Sequence, residues 1–412
     1  MKKLLFIESN TTGTGMIAIQ KAHSLNLSPV FITRDPKLYN GLFEQDCQII
    51  TCETNHFDVV LETIKTIFDP GEIAGITTTS EFYIHTVSRL TSSLQLKGNP
   101  PETVAAARNK FTVREKLRKS KKLYQPFYFG ITTEQELVWK EKEIAFPCIV
   151  KPVDDSGSNG VKVCREFTDL LDHTIRLLKV ETNTRNQPAG KMALIEEYVE
   201  GQEYSLECFS FDGNHQLIGI TKKKVGREPF RVEQGHIFPA EDLTGAARER
   251  IKEGAFEILE TLGWCNGPVH IEVKVVEDQL FLVEFNGRLA GGMIPELIRL
   301  SSGIDMLQEQ LKSSTGIQPD LQKTSYCYAG IQFFVPDKSG VITEINLIKD
   351  KHLYGIKEVR VNVDIGDHVD EACNAYGRKG YTIAVSDDVH DLMDTLLESS
   401  KQIKIKEKEC IV

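Results

Sequence analysis

Glu272, Glu284, Asn286 and Arg288 carry the sharpest chemical signal in the chain. The segments IEVKV and LFLVEF flank Asp278 and read as the two arms of a hairpin. With a three-residue turn, Glu277 to Gln279, Glu272 lies opposite Glu284, with Cβ atoms about 4.5–5.5 Å apart on one face. Such a pair repels unless a cation sits between the carboxylates. Asn286 follows Glu284 by two and shares its face, completing a set of hard oxygen ligands suited to Mg²⁺ shared with substrate phosphates. A two- or four-residue turn would send the two glutamates to opposite faces, so this reading hangs on the loop. The plainer alternative is a solvent-facing acidic strand pair. Arg288, in NGRLAGG, keeps the same parity and suits neutralisation of a transferring phosphoryl group or a developing oxyanion; a salt bridge to a hairpin carboxylate is its simpler role.

A second signal is DDSGSNG, Asp154 to Gly160, between two apparent strands. Gly157 and Gly160 let backbone N–H groups turn inward around phosphate oxygens, with Ser156 and Ser158 hydroxyls in reach. Lys151, just before the loop in the apolar run FPCIVKP, is a reasonable phosphate contact. A flexible hairpin loop would read the same. The third signal is IEEYVEGQE, Ile195 to Glu203, a strand end whose backbone at Glu197 and Val199 could meet an adenine edge while Glu203 accepts from ribose hydroxyls; alone it reads as an ordinary edge strand.

The elements that must position these residues follow from periodicity. LLFI, PVFIT, QIITC and a run at Ile73 to Thr77 read as strands alternating with helices near Met16 to Leu25 and Asp58 to Ile67, which is βαβ alternation around a parallel sheet. KGNPP, Lys97 to Pro101, is a breaker cluster and a domain edge. One helical stretch is predicted from Glu102 to Ser120, another from Thr244 to Leu262 with Ile251, Ala255, Ile258, Leu259 and Leu262 on one face, and a further helix after Pro295.

The chain has 412 residues, enough for two or three domains. Its 49 basic and 59 acidic residues give a net charge of −10, which disfavours nucleic acid and anionic membrane as partners. The KKK run at Lys222 to Lys224 is a candidate local basic patch. No apolar run approaches the roughly 18 residues of a membrane span, and nine scattered cysteines without metal spacing suit a reducing compartment, so a cytoplasmic location is expected. Gly13, Thr14 and Gly15 with Ala18 meet the permissive G-x-G-x-x-A form, and Asp35 lies near the position of a ribose-binding acid. This leaves an NAD-dependent oxidoreductase as a remote alternative, although no hydride-transfer site is evident elsewhere.

Taken in order, these segments resemble the ATP-grasp superfamily of carboxylate–amine ligases. Within it the chain is most similar to the L-amino-acid ligases that make dipeptides, on FRVEQGHIFPA (Phe230 to Ala240), GPVHIEVK (Gly267 to Lys274) and EFNGRLAGGMIPELI (Glu284 to Ile298). The resemblance implies an α/β ATP-grasp fold with an N-terminal Rossmann-like βαβ domain at 1–100. Linker helices and a central ATP-clamping subdomain would span 101–190, and a C-terminal mixed α/β module 191–412. It implies that Lys110 and Lys151 contact ATP phosphates, that the loop Ser156, Gly157, Ser158 to Gly160 closes over them, and that Glu196, Glu197 and Val199 hold adenine and Glu203 the ribose. Glu272, Glu284 and Asn286 would bind Mg²⁺, with Mn²⁺ able to substitute, and Arg288 would act on the acyl-phosphate. Glu233 and His236 would lie at the amino-acid site. Gly291 and Gly292 would leave room for a large acyl donor, and Glu81 with Glu233 would favour a basic, arginine-like one. Small molecules are the expected partners, with a homodimer left open. Other ATP-grasp ligases or carboxylases, and a sensor that has lost catalysis, are the competing readings.

Overall fold

The computed structural model describes residues 1–11, 14–228, 230–276, 279–345, 355–399, 401 and 403–406. The N-terminal region folds as expected from its alternation. Four parallel strands are ordered Gln48–Thr51, Ser28–Thr33, Lys3–Ile7, Ile73–Thr77. Both faces are covered, which is why these strands are near-continuous apolar runs. Leu4, Phe6 and Phe31 pack with Ala18, Ile19 and Ala22 of the helix Thr14–Ser24. Leu5, Ile7, Val30 and Ile32 pack on the opposite side with Val60 and Ile64 of Phe57–Ile67.

The helical stretch after KGNPP is two helices, Pro101–Ala107 and Lys110–Leu117, rather than one. Asn109 breaks it: its side chain accepts from the Thr112 N–H, an N-cap that starts a new helix with Lys110 as its first residue. A central antiparallel sheet is ordered Tyr128–Ile131, Ala193–Glu197, Cys148–Pro152, Lys162–Cys164. The strand Ala193–Glu197 thus pairs within the central sheet, past the edge at 190 suggested by sequence.

The largest sheet has eight strands, ordered Gln279–Asn286, Gly267–Val276, Gln202–Phe211, Asn214–Val225, Glu233–Phe238, Tyr328–Phe333, Gly380–Ser386, Ile356–Val361. Its first four strands have two contrasting faces. Tyr204, Leu206, Ile220, Ile271, Val273 and Leu282 pack against Ile251, Ala255, Ile258, Leu259 and Leu262 of the helix Gly245–Leu262, the face expected from helical spacing. The alternate residues are polar. Ser205 pairs across the ladder with both Thr221 and Glu272, Glu207 with His270, Lys223 with His236, and Glu284 with Glu272. Period-two alternation therefore lays one ionisable floor over one apolar face.

The hairpin reaches the expected pairing by a different route. Val276 pairs with Gln279, so the turn has two residues, Glu277 and Asp278, which lie outside the described residues. That register alone would separate the two glutamates. A β-bulge at Val283, where the register shifts between Val273–Leu282 and Glu272–Glu284, brings Glu284 back opposite Glu272 and Asn286 opposite His270. The bulge, not the turn, makes the site.

Candidate active site

The bulge is held from outside the sheet. The Arg114 guanidinium donates to the carbonyls of Leu282 at 2.6 Å and Val283 at 3.3 Å, and Lys151 Nζ donates to Val283 O at 3.2 Å. Both cations also pair with Glu196, Arg114 Nε at 2.9 Å. Burial alone would raise the Glu196 pKa, but Arg114 and Lys151 hold the carboxyl below its usual range. Glu196 is 1% exposed and committed to these two cations, so its side chain is not presented to an adenine ring. The neighbouring Glu197 accepts the Tyr124 hydroxyl at 2.8 Å, and the Val199 carbonyl accepts from Lys274 Nζ at 2.6 Å.

Lys110, the first residue of its helix, donates to the Asp155 carbonyl at 2.6 Å and pairs with Glu284 at 3.1 Å. It therefore touches both the Gly-rich loop and the hairpin carboxylate. Within the loop Gly157, Ser158 and Gly160 have φ of 72°, 60° and 70°. Glycine adopts these without cost at two of the three positions. Ser156 N–H donates to its neighbour Asp155 Oδ1 at 2.8 Å.

Arg288 is anchored by Glu81 from the N-terminal domain, Nε to Oε2 at 2.7 Å. Arg108 meets the other oxygen of Glu81 at 3.0 Å and the Asp154 carbonyl at 2.8 Å, so one buried carboxylate ties Arg288 to the start of the phosphate loop. The bridge expected for Arg288 exists, but to Glu81 rather than to the hairpin.

Lys223 is the feature that sequence reading missed. It is 3% exposed and pairs with Glu203 at 3.1 Å, Glu233 at 2.5 Å and Glu272 at 3.0 Å. It does not form a basic surface patch with its neighbours, since Lys222 pairs with Glu241 and Asp242, and Lys224 donates to Gln332. Glu207 and His270 were also missed. His270 bridges Glu207 at 3.0 Å and Glu272 at 3.1 Å. Burial opposes its charge, but the two carboxylates outweigh burial and raise its pKa to about 9. The available signal was the strict alternation of Glu203, Ser205, Glu207 and of His270, Glu272, Lys274 with apolar residues.

Does this donor set suit a divalent cation? Glu272 and Glu284 face one another, and Asn286, 3% exposed, stands opposite His270 on the same pair of strands. Two carboxylates and an amide oxygen are hard ligands that leave positions for phosphate and water. Among the described residues no group of three or more His, Cys, Asp and Glu converges as a closed metal cage. The set fits a cation that phosphate helps to hold.

At the other end of the floor, His236 is buried, with both ring nitrogens unpartnered. Burial pushes its pKa down to about 3, so the ring is neutral. Its Nε2 lies 3.7 Å from Glu233 Oε2. A Cβ on Gly292, whose φ is +58°, would come within 2.6 Å of that Nε2, whereas one on Gly291 would meet nothing within 4 Å. The space left at Gly292 is therefore filled by His236, and only Gly291 opens a pocket. The premise for a basic first substrate also fails. Glu81 already holds two arginines, and Glu233 is met by Lys223 and by Arg378 at 2.5 Å, so neither carboxylate leaves an unmet charge that would call for a basic side chain on the substrate. Gly292→Ala is expected to destabilise the fold by about 1–3 kcal/mol through overpacking and left-handed strain, seen in thermal melts. His236→Ala in the same chain should recover part of the loss; no recovery would mean that the ring does not set the glycine requirement.

At the N-terminal glycine turn, Gly13 lies outside the described residues, and Asp35 accepts the Lys37 N–H at 3.0 Å as a helix cap. Among the described residues no helix is long and apolar enough to cross a membrane.

Residues 144–296 match the ATP-grasp domain family, and residues 332–408 match the L-amino acid ligase C-terminal domain 2. An uncharacterized protein of Sinorhizobium fredii is 29% identical over 387 residues, 94% of this chain and 79% of its own length. Dapdiamide A synthase of Enterobacter agglomerans is 22% identical over 350 residues, 82% of this chain and 81% of its own. The crystal structure of an L-amino acid ligase from Bacillus licheniformis superposes with a TM-score of 0.81 at 19% identity, covering 99% of each chain. That superposition establishes the fold, and the two family matches place the nucleotide module and the C-terminal module in the order found here. This chain carries an ATP-grasp domain followed by an L-amino acid ligase C-terminal domain, and is similar over most of its length to amino-acid ligases of that kind.

Proposed function

We propose that the protein is an ATP- and Mg²⁺-dependent L-amino-acid ligase that forms a dipeptide through an aminoacyl-phosphate and releases ADP and phosphate. The observation that supports this most is the single polar sheet face. Glu272, Glu284 and Asn286 stand at one end of it beside Lys110 and Arg288. Glu233 and His236 stand at the other, bridged by Lys223.

In this reading the γ-phosphoryl group is held by Lys110, by Lys151 and by the backbone of Ser156 to Gly160. Glu272, Glu284 and Asn286 would hold Mg²⁺, which would supply neutralisation of phosphate charge when bound. A carboxylate oxygen of the first amino acid attacks the γ-phosphorus, and the bond from phosphorus to the bridging oxygen breaks, leaving ADP. Arg288, fixed by Glu81, faces the charge that builds on the transferring group. The amine of the second amino acid then attacks the acyl carbon, the bond to phosphate breaks, and the amine loses a proton. Glu233 orients the first substrate's ammonium, with neutral His236 as a hydrogen-bond partner. Adenine would rest against the backbone of Glu197 to Val199, and ribose against Glu203. The names of the dapdiamide synthase and of the L-amino acid ligase support amide ligation. The size of the first substrate now rests on Gly291, with no charge argument for a basic one.

The experiment is product analysis with amino acids supplied singly and in pairs. ADP and phosphate are expected, one of each per amide formed. AMP and pyrophosphate as stoichiometric products would reject this chemistry. ADP release that requires bicarbonate instead of a second amine would point to a carboxylase.

A further inference from the structure

Two lysines already occupy the electrostatic position of a metal on the floor of this site. Glu272 Oε2 meets Lys223 at 3.0 Å, and Glu284 Oε1 meets Lys110 at 3.1 Å. The two lysines differ in what else they hold. Lys110 sits beside the Gly-rich loop, where a triphosphate would draw its ammonium away from Glu284. Lys223 lies deep among three carboxylates from three other strands of the same sheet: Glu203, Glu233 and Glu272. These are the groups assigned above to ribose, to the substrate ammonium and to the metal.

We propose that Lys223 is a positioning residue that serves as the resident counter-cation of this carboxylate cluster, making divalent-metal entry conditional on nucleotide. The proposal rests on the metal reading of Glu272 and Glu284. The reasoning is electrostatic. Glu203, Glu233 and Glu272 would repel one another within a buried sheet face if nothing positive lay between them. His270 on Glu272 Oε1 and Arg378 on Glu233 Oε2 relieve part of that repulsion, and Lys223, shared by all three carboxylates, relieves the rest and fixes the three side chains in one frame. A free divalent cation approaching Glu272 and Glu284 therefore meets two ammonium groups at close range and gains little. A cation arriving with nucleotide brings phosphate charges that offset both lysines, so the same carboxylates become ligands. Metal would thus load with the triphosphate and not before it. The frame also joins the metal end of the floor to the amino-acid end, because the ammonium that neutralises Glu272 is bonded to Glu233.

The test measures Mn²⁺ binding to the full-length protein by calorimetry or electron paramagnetic resonance, with and without ADP. Wild type is expected to bind Mn²⁺ weakly alone and much more tightly with ADP. Lys223→Met should bind Mn²⁺ alone at least tenfold more tightly than wild type, about 1.4 kcal/mol, while its kcat falls. Lys223→Arg, which keeps the charge, should stay near wild type in ADP-free affinity. Falling kcat with unchanged ADP-free Mn²⁺ affinity in Lys223→Met would overturn the proposal, leaving a merely structural lysine. If Lys223→Met does not fold, adding Glu203→Gln removes one of the carboxylates it balances. That double variant should then bind ADP-free Mn²⁺ more tightly than Glu203→Gln alone, and equal affinity would overturn the proposal as well. The metal reading is checked separately with Glu272→Gln and Glu284→Gln. Unchanged Mn²⁺ affinity in the presence of ADP for both would reject the site itself.

Discussion

Glu284→Gln is expected to lower kcat by about a hundredfold to a thousandfold, the scale seen when one charge-stabilising group is removed from a transferring centre. The substitution keeps the volume and the β-bulge while deleting one negative ligand opposite Glu272. Facing carboxylates alone would suggest that losing one raises the melting temperature. Lys110 and Lys223 already relieve that repulsion, so little change in melting is expected. ADP release across an Mg²⁺ titration checks the claim. Near wild-type turnover at low Mg²⁺ would remove Glu284 from the metal site.

The second large effect concerns Glu196, whose two cations hold the bulge. Glu196→Gln leaves Lys151 and Arg114 buried without their anion, and a loss of about 3–5 kcal/mol in unfolding free energy is expected. Because the same two side chains cap the freed carbonyls of Leu282 and Val283, turnover should fall with stability, through misplacement of Glu284. Urea unfolding and steady-state kinetics on one preparation separate the possibilities. Unchanged stability with a raised KM for ATP would return Glu196 to the nucleotide contact that sequence suggested. Lost stability with unchanged kcat would show that the bulge holds without its caps.

Part of the floor was legible in the sequence, because the face on which a strand residue stands depends on short-range rules. Period-two alternation put Glu284 and Asn286 on one side of a strand, and the left-handed demand of the loop marked Gly157 and Gly160. The helix Gly245–Leu262 was equally plain, since its apolar stripe repeats at helical spacing and nothing tertiary competes with it. The run of apolar strands with intervening helices announced the parallel N-terminal sheet for the same reason.

What local rules could not supply was the identity of partners distant in the chain. The pairing of Glu272 with Glu284 follows from a bulge at Val283, and that bulge is stabilised by Arg114 and Lys151, 168 and 132 residues away from the carbonyls they cap. The three-residue turn expected from sequence gave the right pairing for the wrong reason, because hairpin patterning does not reveal where an extra residue will be absorbed. Lys223 looked like part of a basic run, since a sequence shows neighbours along the strand and not across the sheet. Only strand order placed it between Glu203, Glu233 and Glu272. Glu81 and Gly292 are the same lesson at closer range. A carboxylate in a cleft reads as a substrate contact until the structure brings Arg108 and Arg288 to it, and a glycine reads as open space until His236 fills it. The sequence by itself determined which side chains could do chemistry and on which face they stand. Tertiary structure alone decided which charges are already met, because ion pairing depends on distances that only the folded chain sets.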